Sequence, residues 1–196
     1  MKFKSRLFLL LGLLPCALSA QWLNVGNADY NWGPFHVYTI SLYSETGEYH
    51  AGQRPLMLSI TFAKPVEGKD FAITLMKEMD SLNIEGLHRE TIVTTLQKIL
   101  PDFQPGDTLS YIALEGNGYF VINDTILNHD FDRQFTDAFV AIWLAENTNF
   151  TRLRSRLIGQ QKNEVAQPEH PIAPESTPPS EENADPELLP KPDQAS

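Results

Sequence analysis

Leu56-Met-Leu-Ser-Ile-Thr-Phe-Ala-Lys-Pro-Val-Glu-Gly-Lys-Asp-Phe-Ala-Ile-Thr-Leu-Met-Lys-Glu-Met-Asp-Ser-Leu82 changes its hydrophobic period part-way along, and that change decides the fold class. Leu56–Ala63 reads as a strand bounded by Pro55 and Pro65. From Phe71 the apolar residues recur at helical spacing, with Phe71, Leu75, Met79 and Leu82 at i, i+4, i+8 and i+11 and Met76 beside them. Lys69, Lys77 and Asp80 take the other faces. A second amphipathic helix carries Ile92, Leu96, Ile99 and Leu100, and Pro101 ends it. Upstream, Phe35–Tyr43 is rich in β-branched and aromatic residues and alternates as a strand does. Trp22–Val25 reads as a short strand before the Gly33-Pro34 turn. Downstream, Thr108–Leu114 and Tyr119–Ile122 flank Gly116-Asn117-Gly118, a hairpin signal because Asn-Gly tolerates positive φ. Asn123-Asp124 is a further tight turn before Thr125–Leu127. A third helix carries Phe131, Phe135, Ala138, Phe139, Ile142 and Trp143, with Asp130 or Asp132 as its N-cap. A short fourth helix runs from about Asn149 to Ile158, and Gly159 stops it. Two helices between two groups of strands make an α+β domain.

The chain has 196 residues, with 15 Lys and Arg against 25 Asp and Glu. Three compositions divide it. Residues 1–20 place Lys2, Lys4 and Arg6 before an apolar run from Leu7 to Leu14 and end in small residues, the layout of a secretory signal peptide. The run is well short of the roughly 20 residues that span a bilayer. Export, to the periplasm, is the expectation, with cleavage near Ala20. Residues 160–196 hold eight of the fourteen prolines and eight acids, with no aromatic residue. A segment of that kind buries too little apolar surface to offset its ordering entropy, so it reads as a disordered acidic tail. Residues 21–159 are then one domain, long enough to be stable without disulfides.

Several chemistries fall away at this level. Losing the leader removes three basic residues and leaves 12 basic against 25 acidic, a net charge of −13. Such a surplus of acid does not suit the phosphate backbone of nucleic acid. Cys16 is the single cysteine, so no CxxC redox or metal motif exists. His36, His50, His88, His129 and His170 show no HExxH or HxH spacing, and no GxSxG, GxxxxGK[ST] or GxGxxG motif occurs. No metal or cofactor is expected. Glu78 and Asp80, two apart on a helix, point to different faces and do not form a catalytic carboxylate pair. The suggestive feature is a set of aromatic residues on the buried faces, among them Tyr38, Tyr43, Phe62, Phe71, Phe120, Phe135, Phe139 and Trp143. A helix layer over a curved sheet either packs such rings into a core or leaves an apolar pocket among them.

The ordered set of motifs resembles the chalcone isomerase-like family, in particular its secreted bacterial branch. The matching residues are Val25-Gly26, Phe35-x-Val-Tyr38, Ile40-x-Leu-Tyr43 and Leu58–Phe62 leading through Gly68-Lys69 into the first helix. Phe103-x-Pro-Gly-Asp107, Gly118-Tyr-Phe120-x-x-Asn123, Phe135-x-x-Ala138-Phe139-x-x-Ile142-Trp-Leu144 and Leu153-Arg154-x-x-Leu157-Ile-Gly159 follow in order. The resemblance covers 22–159 and none of the tail. It implies an open-faced β-sandwich, an antiparallel sheet with helices packed on one face and a cleft between them. Plant enzymes of the family close a flavanone ring with an Arg and a Tyr, and non-catalytic relatives bind fatty acids in the same cleft.

At the positions that matter this chain departs from the enzymes. Phe71 stands where they carry the Tyr, and Glu78 where they carry an Asn. Tyr38 falls near their substrate-contacting Thr, and no Arg occurs between Gln21 and Gln53. The electrostatic assistance that ring closure needs is therefore missing. The expectation is a non-catalytic domain binding a small apolar ligand such as an acyl chain. Tyr38, Phe71 and Trp143 would line the cleft, and Arg54, the nearest upstream cation, is a weak candidate for pairing a carboxylate. Two alternatives stand beside it, an accessory protein-interaction domain with a filled core and an isomerase of altered chemistry.

Overall fold

The computed structural model describes residues 21–160, so the segment expected to be a leader and, past Gln160, the one expected to be a disordered acidic tail lie outside the described residues. Six strands, β1 (Leu23–Trp32), β2 (Phe35–Ser44), β3 (Leu56–Phe62), β4 (Thr108–Ala113), β5 (Asn117–Ile122) and β6 (Thr125–Asp132), form one sheet in chain order. All neighbours are antiparallel. Helices α1 (Gly68–Ser81) and α2 (Arg89–Ile99) interrupt the chain between β3 and β4, yet these strands pair directly, Leu56 opposite Ala113 and Thr61 opposite Thr108. Helices α3 (Arg133–Leu144) and α4 (Thr151–Leu157) close the domain.

Alternation sorts the sheet into two faces. Tyr38, Ile40, Leu42, Leu56, Leu58, Ile60, Phe62, Leu109, Tyr111 and Phe120 are buried against the helices. The opposite face carries Thr39, Thr61 and Thr108 in one row and Ser41, Ser59 and Ser110 in the next, with Ser59 Oγ and Ser110 Oγ 2.9 Å apart. The sheet is thus open on one side. On the other, α3 lies against β4, β5 and β6, while α4 lies against β1 and β2. Helix α1 packs on α3, and α2 on α1, with Leu96 the one fully buried residue of α2.

The helical spacing from Phe71 has a local anchor. The Gly68 N–H donates to Asp102 Oδ1 at 3.0 Å, satisfying an amide that the first turn of a helix leaves without a partner. A Cβ at Gly68 would collide with the carbonyl oxygens of Leu100 and Pro101, so glycine is what lets α1 start against the end of α2.

The sequence reading misplaces several boundaries. The first strand is ten residues rather than four, because β1 is an edge strand of polar outward residues in which only Ala28 and Tyr30 are fully buried. The turn between β4 and β5 spans 114–116, closed by Leu114 N–H donating to the Asn117 carbonyl, and Asn117-Gly118 already belongs to β5. The positive-φ pair sits one turn later, at Asn123 (φ 45°) and Asp124 (φ 68°). Phe131 belongs to β6 rather than to α3, and of the two N-cap candidates the structure selects Asp132, whose Oδ1 accepts from Phe135 N–H at 2.8 Å. Helix α4 is shorter at both ends than its apolar pattern suggests.

Candidate functional site

Tyr38 lies on β2 between Tyr30 of β1 and Phe62 of β3. Its ring stacks on Tyr30 at 4.8 Å and meets Phe62 edge-on at 6.4 Å. Phe62 in turn stacks on Phe103 at 4.2 Å and meets Phe71 edge-on at 5.5 Å. On the other side Tyr30 meets Phe150, which stacks against Trp143 at 6.5 Å. One continuous sequence of rings therefore joins Phe71, Tyr38 and Trp143 between the sheet and the helices. All three are buried.

This aromatic layer contains polar groups, and their satisfaction is uneven. The Tyr38 hydroxyl and the Trp143 indole N–H are both buried and neither has a hydrogen-bond partner. They lie near each other, and the indole N–H favours the phenolate, but the geometry falls short of a hydrogen bond. Burial above all, then the neighbouring Tyr30 and Glu78, pushes the Tyr38 hydroxyl well above its ordinary range, so it stays protonated. Glu78 sits seven residues after Phe71, two turns further along the same face of α1. It is buried, and its Oε2 accepts from Asn149 Nδ2 at 3.0 Å. The same amide donates to Ser81 Oγ at 3.1 Å, tying α1 to the chain between α3 and α4.

Two donors and a carboxylate in an apolar layer have a definite chemical preference. A Tyr O–H and a Trp N–H both offer hydrogens, and the indole can only donate. What satisfies them is an acceptor such as a carbonyl or ether oxygen. A buried unpartnered polar group costs about 1–3 kcal/mol, which a bound acceptor would recover.

Arg54 is not brought to this place. It precedes β3, whereas Tyr38 pairs with Phe62 at the far end of that strand, roughly 20 Å away at about 3.3 Å per residue. Its Nη2 donates to Asp137 Oδ1 at 2.7 Å and its Nη1 to the Gln53 carbonyl at 2.8 Å. Arg133 Nε lies 3.5 Å from the second Asp137 oxygen. An open groove of about 270 Å³ runs along a different edge, between α2 and the junction of β6 with α3, with Leu87, Ile92, Phe131 and Phe135 as floor and His88 and His129 on the rim. Among the described residues no group of three or more His, Cys, Asp or Glu is placed to hold a metal ion, and no helix is long and apolar enough to cross a membrane.

No protein-family model matches the chain. An uncharacterized protein of Haemophilus influenzae is 47% identical over 190 residues, spanning 97% of this chain and 94% of its own length. The chain belongs to that protein's family. Among solved structures it is similar to a fatty-acid binding protein of Arabidopsis thaliana, with a TM-score of 0.54 over 74% of this chain and 90% of that one, at 8% identity. The open antiparallel sheet with its helices on one face is the chalcone isomerase-like fold that the motif order implies.

The structure joins Tyr38, Phe71 and Trp143 into one layer and leaves Arg54 apart. Sequence reasoning missed Tyr30 and Phe150, the rings that link Tyr38 to Trp143, and Asn149, the partner of Glu78. The signal for Tyr30 was present but faint, since it alternates with Ala28 in an otherwise polar strand. Phe150 shares a helical stripe with Leu153 and Leu157, all three buried, so its signal lay in the spacing of the fourth helix, whereas Asn149 carries no such signal.

Proposed function

We propose that this protein is an exported, non-catalytic domain that binds a small apolar molecule of acyl-chain type in the aromatic layer between sheet and helices. The carrying observation is the buried, unpartnered donor pair Tyr38 Oη and Trp143 Nε1 in an otherwise apolar setting. An acyl chain would displace the ring contacts around Phe62, Phe71 and Phe103, and its head would offer the acceptor that the pair lacks. Glu78 nearby disfavours a second carboxylate, so a neutral carbonyl, as in an ester or amide, suits this head position better than a free acid. The fold is shared with a protein described as fatty-acid binding, which supports an apolar cargo. Phe71 in place of a tyrosine, and the missing arginine on the first strands, support the absence of ring-closing chemistry. The leader's composition supports export.

Titration of the ligand-stripped protein with an oleoyl amide, an oleoyl ester and oleate, read by tryptophan fluorescence and calorimetry, tests this reading. The neutral lipids are expected to bind more tightly than oleate, and Tyr38→Phe to weaken them about tenfold, one hydrogen bond's worth. Absence of binding by all three overturns the proposal. A second reading, an interaction domain with a filled core, draws support from the closed stacking of Tyr30 on Tyr38 and of Phe62 on Phe103. That outcome is its signature.

A further inference from the structure

The β1–β2 hairpin ends two residue pairs beyond Tyr30 and Tyr38, and at its tip Trp32 lies opposite Phe35 across the Gly33-Pro34 turn. Trp32 is 48% exposed and Phe35 is 52% exposed. The two rings stack on each other at 6.5 Å, so they present one joint apolar surface rather than two separate side chains. Lys64, in the connection from β3 to α1, holds its ammonium 5.8 Å from the Phe35 ring centroid. Two large aromatics half in water at the end of a narrow hairpin are not needed by the core, which closes two pairs earlier at Tyr30 and Tyr38.

We propose that this tip is a membrane-docking wedge that inserts Trp32 and Phe35 into the headgroup region of a lipid bilayer. Three features favour a lipid surface over a protein partner. Rings of this size bury about 150–250 Å² each, so the exposed halves offer roughly 200 Å² together. A stable protein interface needs roughly 800 Å² from each partner. The shape is a two-residue point rather than a patch, which suits penetration between headgroups. The chemistry is also interfacial, because an indole prefers the boundary between headgroup and hydrocarbon, and a lysine above the ring can leave its ammonium in water. The nearest acid on the hairpin, Asp29, is engaged, since Thr39 Oγ1 donates to its Oδ1 at 2.6 Å and His36 Nε2 lies 3.5 Å away. With 25 acidic residues in the chain, the expected surface is zwitterionic and the attachment apolar rather than electrostatic. The wedge stands on the hairpin alone and does not require that the interior hold a ligand.

The test is flotation of residues 21–196, which carry every element described, with phosphatidylcholine vesicles, so that the leader's own apolar run contributes nothing. The chain is expected to float with the vesicles equally at low and high salt. Trp32→Ser/Phe35→Ser is expected to lose at least about tenfold in partitioning with its unfolding midpoint unchanged. Phe35→Ser alone should show an intermediate loss. Leu23→Ser, which changes an exposed apolar residue at the other end of β1, should float like the parent. Failure of the parent to float, equal flotation of the double variant, or loss of binding in high salt each overturns the wedge.

Discussion

Tyr38 and Tyr111 are both buried tyrosines on the helix-facing side of the sheet, and the loss of one oxygen atom should act on them in opposite directions. Tyr111 Oη lies 2.8 Å from Thr136 Oγ1. The single Thr136 hydroxyl hydrogen is used on the Asp132 carbonyl at 2.8 Å, so Tyr111 must be the donor between them. Tyr111→Phe removes that bond and should cost about 1 kcal/mol. Tyr38 Oη has no partner, so Tyr38→Phe removes a buried polar atom that has lost its water and gained nothing. The change should leave stability unaltered or raise it by about 1–2 kcal/mol in the ligand-stripped protein. In a domain of this size that places the two variants roughly 5–10 °C apart in melting temperature. Urea denaturation of protein refolded from denaturant, so that no bound molecule survives, gives the comparison directly. If Tyr38→Phe is destabilised as much as Tyr111→Phe, its hydroxyl is satisfied and the donor-pair argument fails.

Burial also moves the ionisation of both hydroxyls to higher pH, chiefly through desolvation, with Thr136 opposing the shift at Tyr111. A raised folded-state value means that stability is level below about pH 10, where the unfolded tyrosines begin to ionise, and falls as pH rises further, by up to about 1.4 kcal/mol per pH unit for each group. Ultraviolet titration should therefore find Tyr38 and Tyr111 silent until the domain unfolds, and a normal curve for either would contradict its burial. A Cβ at Gly118 would run into the Tyr111 hydroxyl and the Ile112 carbonyl, so Gly118→Ala should cost about 1–3 kcal/mol in chemical denaturation. At the β5–β6 turn, Asp124 has φ of 68°, so Asp124→Gly should be neutral or stabilising and Asp124→Val should cost at least about 1 kcal/mol by the same measurement.

The sequence made elements legible where one period dominated. Leu56–Phe62 alternates against a single core face, and the helix after it keeps Phe71, Leu75 and Met79 on one stripe, so both appear almost as read. It was silent where burial is decided by tertiary partners. Edge strand β1 shows mostly asparagine and aspartate outward, and only the pairing with β2 and the cover of α4 reveal that Tyr30 faces the core. The Asn117-Gly118 pair suggested a turn, yet Gly118 is small because Tyr111 lies across it, a packing reason that mimics a conformational one. For the site, the buried faces named Tyr38, Phe71 and Trp143, and the structure adds the property no spacing could show, that two of them carry polar atoms without partners. Arg54 was selected by its order in the chain, and order along a strand says little about distance when the strand itself is roughly 20 Å long.

Native mass spectrometry of the protein purified from its own host tests the central claim most directly. The account predicts a stoichiometric adduct, released on denaturation, whose mass is that of a lipid with a carbonyl or ether head, and whose occupancy falls in Tyr38→Phe and Trp143→Phe. A bare polypeptide mass that stays bare after incubation with oleoyl esters and amides would contradict it and leave the filled-core interaction domain as the better description.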